Sequence, residues 1–295
     1  MPELTVSMPA FRAGPFIEAA IESVLEERDI DLELVVVDDG SGDDTARAAQ
    51  RCGDARLRVL CNETRRGIGY CHNRVIEESS SPIIAHVDAD DFILPGALRA
   101  LTEAVLDSSD VGQAFCDFFP VDADGVTTPE ARERWLIHLR AARRHERDVP
   151  RALLVHGMVV NHLRTYRREV FDLVGRFDEG LSYAVDYEMA LRIAERYQFA
   201  YVPEPLYAKR AHPAATTGAM RAKSLRFWWT RYRIGRRLLR TRGGTLLGRG
   251  SLGFHALMAL GLVHVTGAPR WAGRAYRSLP STTGTGLDVG STERR

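Results

Sequence analysis

The chain has 295 residues, 45% hydrophobic and 27% charged, a globular composition that excludes a disordered or collagen-like protein. Its 40 basic and 39 acidic residues leave a net charge of +1, but the signs are segregated: residues 1–208 carry −14 and residues 209–295 carry +15. An acidic body joined to a basic tail implies two jobs, or one job done at a charged surface.

In chain order, Leu4 to Met8 reads as a strand, and Phe16, Ile17, Ala20, Ile21, Val24 and Leu25 then recur at helical spacing. Leu34 to Val37 is a β-branched apolar run ending in the turn signal Asp38-Asp39-Gly40-Ser41. A helix is expected over Thr45 to Cys52, a strand over Leu57 to Leu60 and a helix over Tyr70 to Glu78. Pro82 to Val87 is a further strand that stops at Asp88-Ala89-Asp90-Asp91. This alternation predicts an α/β fold, a mostly parallel sheet covered on both faces. Ligands then bind beyond the carboxyl ends of the strands. Phe11, Asp38, Asp39, Asp88 and Asp90 all follow strand ends and should share one crevice.

Residues 130–150 are dense in charge of both signs, the pattern of a solvated helix or loop, and another helix is expected from near Asp186. Composition shifts sharply after Arg210, which places a boundary near 220. Residues 1–220 then form the main domain, 221–280 a basic amphipathic helical extension, and 281–295 a Ser/Thr/Gly-rich tail expected to be disordered. No run of about 18 uninterrupted apolar residues occurs, so no ordinary spanning helix is expected. Cys52, Cys61, Cys71 and Cys116 lack CxxC spacing, and MPELTVSMPA is not a signal peptide. Reduced thiols in the cytoplasm are the expectation.

Two acidic motifs bear on chemistry. Three carboxylates at Asp88, Asp90 and Asp91 repel one another unless a hard divalent cation is held there with substrate phosphates, although such residues before Pro95-Gly96 also suit a turn. Val37-Asp38-Asp39-Gly40-Ser41 is a second strand-to-turn element about fifty residues earlier, on a strand expected in the same sheet.

With these motifs in view, the sequence resembles family 2 glycosyltransferases, inverting nucleotide-sugar-dependent enzymes of GT-A fold. The resemblance lies in VSMPAFRAGPFIEAAIESVL (6–25), LELVVVDDGSGDDT (32–45), GIGYCHNRVIE (67–77), IIAHVDADDFILPGAL (83–98), REVFDLVGRFDEGLSYAVDYEMALRIA (168–194) and VPEPLYAKRAH (202–212). It covers about residues 4–215. By resemblance, Pro9 and Phe11 border the nucleobase, Asp39 accepts a hydrogen bond from it, and Asp88 and Asp90 are the DXD pair. Asp90 is then the metal ligand, for Mn²⁺ or Mg²⁺, while Asp88 faces the ribose or the metal shell. Asp186 matches the catalytic base, and His212 lies where the family often has a histidine near the metal or diphosphate. Lys209 and Arg210 could bind phosphate. Two departures stand out: Val185 replaces the glutamate that usually precedes the base, and His72 replaces an arginine whose contact it could partly take over.

The chemistry implied is transfer of a sugar, with a UDP-sugar as the leading donor, to a hydroxyl acceptor. Charge grows on the departing nucleoside diphosphate, where a divalent ion stabilises it. A carboxylate takes the acceptor proton as the oxygen attacks from the opposite face, and one displacement inverts the anomeric carbon. Alternatives are a nucleotidyltransferase, which lacks a glycine-rich, lysine-bearing loop after the first strand, and a degenerate domain that binds a nucleotide sugar or an anionic surface without turnover. Residues 221–250 hold ten basic residues and no acid, interleaved with Phe227, Trp228, Trp229 and Tyr232. That pattern suits an anionic membrane surface contacted through residues 221–265, on the inner face of the cell membrane, and a lipid-linked or cell-envelope glycan acceptor. A helix packed on the catalytic domain or on a dimer partner is the competing reading; no nucleic-acid module is recognisable.

Overall fold

The computed structural model describes residues 1–129, 133, 148–212, 225–241, 243, 245–247 and 249–266. Most of the charged 130–150 segment and all of the 281–295 tail lie outside these residues. Strands β1 (Leu4–Ala10), β2 (Leu32–Asp38), β3 (Leu57–Cys61) and β4 (Ile83–His86) alternate with helices α1 (Ile17–Leu25), α2 (Thr45–Arg51) and α3 (Ile68–Glu78). After β5 (Phe92–Ile93) come α4 (Ala97–Leu106), β6 (Val111–Val121), α5 (Val149–His156), β7 (Thr165–Arg167), α6 (Glu169–Val174), α7 (Val185–Ile193) and β8 (Gln198–Arg210). The extension adds α8 (Leu225–Thr241), the short pair β9 (Thr245–Leu246) and β10 (Arg249–Gly250), and α9 (Ser251–Thr266).

Eight strands form one sheet in the order β3-β2-β1-β4-β7-β6-β8-β5. Pairing is parallel between β3 and β2, β2 and β1, β1 and β4, and β6 and β8, and antiparallel around β7 and β5. The expected mostly parallel sheet is present. Its period-two pattern sorts side chains by face. Leu34 and Val36 join Val6, Met8 and Ala85 against α1 and α4, whereas Val35 and Val37 pack with Cys71 and Val75 of α3. Both faces are therefore covered, which is why these strands read as continuous apolar runs. Ala10 pairs with Asp38 and Ser7 with His86, so the ends of β1, β2 and β4 open onto one edge.

Helices α8 and α9 share a core with the sheet's own helices. Ile234, Leu238 and Leu239 of α8 and Phe254, Leu257 and Met258 of α9 pack with Leu153 and Leu154 of α5 and Tyr187, Ala190 and Leu191 of α7. Arg231, 1% exposed, reaches from α8 to the carbonyls of Leu153 (3.1 Å) and Leu154 (2.8 Å), where a cation also meets the negative end of α5. Gly157, at φ +95°, ends that helix, and a Cβ there would lie 2.9 Å from the Arg231 guanidinium. No helix among the described residues is long and apolar enough to cross a membrane.

One buried ion pair fixes α7. Arg192 meets Glu188 at 2.7 Å and donates to the carbonyls of Val174 (2.6 Å), Gly175 (2.8 Å) and Arg176 (2.8 Å). Arg192→Ala would leave Glu188 only the more distant Arg237, at 3.6 Å, and strand three carbonyls, and is expected to cost about 3–5 kcal/mol in urea unfolding. An unchanged unfolding midpoint would remove the pair as the anchor of α7.

Candidate active site

The turn after β2 is organised by its own carboxylates. Asp38 accepts a hydrogen bond from Ser41 Oγ, which in turn accepts one from the Arg12 amide (2.9 Å). Asp39, 4% exposed, accepts from Asn62 Nδ2 and the amides of Arg66 and Gly67, each at 2.8 Å. Burial opposes its ionisation, but these donors outweigh it and hold the carboxyl below the usual range. Asp39 thus fastens the 65–67 loop beside the first-strand loop. Gly40 makes this approach feasible: at φ +67°, an added Cβ would sit 2.8 Å from the Thr64 carbonyl carbon. Across the gap, the Arg65 guanidinium lies 4.0 Å from the centroid of the Phe11 ring, a cation–π contact the sequence did not disclose. Pro9 lies on β1, two residues before Phe11.

The second motif follows β4. Asp88 and Asp90 are partly exposed, with side chains 29% and 32% accessible, whereas Asp91 is buried. Asp91 accepts from Tyr207 Oη (2.8 Å) and the Arg210 amide (2.7 Å), so it binds the motif to β8. Asp88, Asp91 and His162 place one ligand atom each within 4.8 Å of one another, while Asp90 Oδ2 lies 2.9 Å from His212 Nε2. Burial pushes the Asp88 carboxyl up against the pull of Arg164, and burial with the charges of Asp88 and Asp90 pushes Asp91 higher still. A divalent cation would relieve that repulsion, and hard carboxylate oxygens with imidazole nitrogen suit Mn²⁺ or Mg²⁺.

His162, in the loop before β7, stacks on Tyr207 with ring centroids 4.6 Å apart. Its Nε2 faces Lys209 Nζ at 3.0 Å and its Nδ1 faces Asp88 Oδ2 at 3.7 Å. The ammonium can only donate, so Nε2 accepts and the ring proton sits on Nδ1, directed at Asp88. Arg210, by contrast, is a buried clamp: it donates to the carbonyls of Asp90 (3.0 Å) and Ala123 (2.7 Å) and lies over Phe16 and Phe92. It is not poised as a phosphate ligand.

Asp186 sits in the first turn of α7, 36% exposed, its Oδ1 accepting from the Tyr187 amide at 2.8 Å. The helix cap is Ala184, at φ +59°, so Asp186 is not spent on capping. Arg164, 7% exposed, approaches Asp186 Oδ2 at 3.4 Å. Burial would lower the Arg164 pKa, but Asp186 and Asp88 hold it raised, which makes this guanidinium the electrostatic link between the two carboxylates. Its Nε is buried without a hydrogen-bond partner.

Both departures have structural reasons. Val185 is 4% exposed in the cluster of Ile76, Tyr166, Phe171, Phe177 and Met189, where a glutamate would be buried unpaired. His72 is 3% exposed, stacks on His86 at 3.6 Å and meets Ser7 Oγ at 2.9 Å. Burial drives its pKa down to about 3, so it is a neutral core histidine and does not take over an arginine's contact.

The family model described as Glycosyl transferase family 2 matches residues 5–175. An uncharacterised protein of Mycobacterium tuberculosis is 33% identical over 227 residues, covering 73% of this chain and 69% of that protein. Chondroitin synthase of Escherichia coli is 26% identical over 219 residues, which is 74% of this chain and 30% of the synthase. The crystal structure of S. aureus TarS residues 1–349 with UDP-GlcNAc matches with a TM-score of 0.63 at 18% identity, over 94% of this chain and 76% of that one. The mannosyltransferase PcManGT of Pyrobaculum calidifontis, in complex with GDP-Man and Mn²⁺, matches with a TM-score of 0.61 at 20% identity, over 95% and 76% of the two chains. At such identities the structures establish the fold, which is GT-A.

Proposed function

Since this chain belongs to the family 2 glycosyltransferases, we propose that it moves a sugar from a nucleoside-diphosphate donor to an acceptor hydroxyl on the cytoplasmic side, inverting the anomeric carbon. What supports this reading is Arg164, 3.4 Å from Asp186 and held raised by the charges of both Asp186 and Asp88, which sets a candidate base beside the carboxylates after β4. Phe11 and Arg65 supply a face for the nucleobase, and Asp39 fixes the loop that closes on it.

Asp88 and Asp90, with Asp91 and His212 beside them, would hold a divalent ion, which would supply charge neutralisation for the departing diphosphate. Lys209 adds a cation at the same place, held by His162. On the opposite wall, Asp186 takes the acceptor proton as the hydroxyl oxygen attacks, while Arg164 holds that carboxylate in position. TarS binds UDP-GlcNAc and PcManGT binds GDP-Man with Mn²⁺, which supports a nucleoside-diphosphate sugar and a divalent ion, with a uridine donor the first to test.

Titration calorimetry with UDP-, GDP- and dTDP-sugars tests the donor site. Heat of binding is expected for one nucleotide class in Mn²⁺ or Mg²⁺, and at least about tenfold weaker binding in EDTA. No binding across the whole panel would remove the reading.

A further inference from the structure

The outer face of α8 is not used by the crevice. Trp228, Trp229 and Tyr232 form a stacked ladder on it, the Trp228 and Tyr232 rings 5.4 Å apart and 12° from parallel, and Trp229 5.4 Å from Tyr232. With Arg236, His255 and Leu262 they line a groove of about 330 Å³ between α8 and α9, open to solvent. The Trp228 indole is locked by donation to the Met258 carbonyl at 2.9 Å, whereas Trp229 is 52% exposed. Beside Trp229, at helical spacing, lie the exposed side chains of Arg233, Arg236 and Arg240. Arg237 pairs with Asp178 at 2.5 Å, but no carboxylate among the described residues pairs with those other three. An unpaired cationic stripe flanking exposed indole and an apolar groove is the complement of an anionic lipid surface. Guanidinium groups meet phosphates there, and rings settle at headgroup depth.

This face is coupled to the catalytic wall. Thr230, next to Trp229, hydrogen-bonds the hydroxyl of Tyr183, three residues before Asp186. Arg231 lies 5.3 Å from the ring of Tyr187, the residue after Asp186. Whatever docks on α8 is thereby held close to the base.

We propose that the α8–α9 face docks on the surface of an anionic phospholipid bilayer and so presents a lipid-linked acceptor to Asp186. The acceptor clause rests on the glycosyltransferase reading; the docking surface does not. The test is sedimentation of the full-length protein with phosphatidylcholine vesicles, and with equimolar phosphatidylcholine and phosphatidylglycerol vesicles, at low salt, alongside a single-stranded RNA of matched charge. Binding to the anionic vesicles alone is expected. It should fall roughly 100-fold in the combined Arg233→Glu, Arg236→Glu and Arg240→Glu variant, and about tenfold in Trp229→Ala. Donor binding should be unchanged in both. Failure of the wild-type protein to bind anionic vesicles overturns the proposal. So does undiminished binding by both variants, or RNA binding lost in the arginine variant while vesicles are ignored. Vesicle binding by a protein that binds no nucleotide sugar would keep the docking surface and remove the glycosyltransferase reading.

Discussion

Asp186→Asn is expected to reduce turnover roughly 10²–10⁴-fold while leaving donor binding within about twofold. The substitution keeps size and the oxygen that accepts from the Tyr187 amide, so the first turn of α7 stays in place. What is lost is the charge that faces Arg164 at 3.4 Å and that, in the proposed role, takes the acceptor proton. In the proposed arrangement the donor would lie against the other wall, by the carboxylates after β4, and would not need that charge. Turnover with saturating acceptor, set beside calorimetric donor affinity, separates the two roles. Equal loss of both would make Asp186 a structural residue whose part is to anchor Arg164.

Removal of the metal, or Asp90→Ala, is expected to have an effect of comparable size, roughly 10²–10³-fold on turnover. Unlike Asp186→Asn it should also weaken the donor. Without a cation, ionised carboxylates at Asp88 and Asp90 would repel the diphosphate, and the mutual repulsion and burial that push Asp91 up would go unrelieved. Asp90→Ala removes a proposed ligand that is partly exposed and faces His212 at 2.9 Å, so the fold should survive it. Asp91→Asn makes an informative contrast. It disturbs the bonds to Tyr207 and the Arg210 amide, and should cost stability as well as activity. Thermal unfolding of the two variants, with Mn²⁺ titrated into each, tells ligand from scaffold. Full activity of Asp90→Ala in EDTA would exclude a metal role for this motif.

The sheet was legible because its signals are local. The continuous β-branched run from Leu34 to Val37 and the helical spacing from Ile17 to Leu25 are visible in single segments, and their burial follows directly. Asp38, Asp39, Asp88 and Asp90 were legible for the same reason, since each follows an apolar strand. His162 and Arg164 were not. They stand in a loop whose partners, Lys209 and Asp88 for one and Asp186 for the other, are 22 to 74 residues away and meet only in the folded chain. The one local hint is Leu163 between them, at φ +46°, and backbone strain of that kind is not written in residue type. Arg65 over Phe11 was hidden likewise, because cation–π contact between two loops has no spacing rule. In the extension, periodicity marks which residues of α8 are apolar but not what covers them. Only the structure shows that Ile234, Leu238 and Leu239 face α5 and α7 while Trp229 is left outside.

The charge split of the sequence now has a location for each part. Asp88 and Asp91 cluster with His162 after β4, and Arg233, Arg236 and Arg240 are exposed on α8. The central claim is that this crevice turns over a nucleotide sugar with a divalent ion. Its most direct test is release of nucleoside diphosphate from a panel of UDP-, GDP- and dTDP-sugars by the purified full-length chain. Slow, Mn²⁺- or Mg²⁺-dependent hydrolysis of at least one donor, abolished by EDTA, is the predicted result; metal-independent release, or none across the panel, would contradict it.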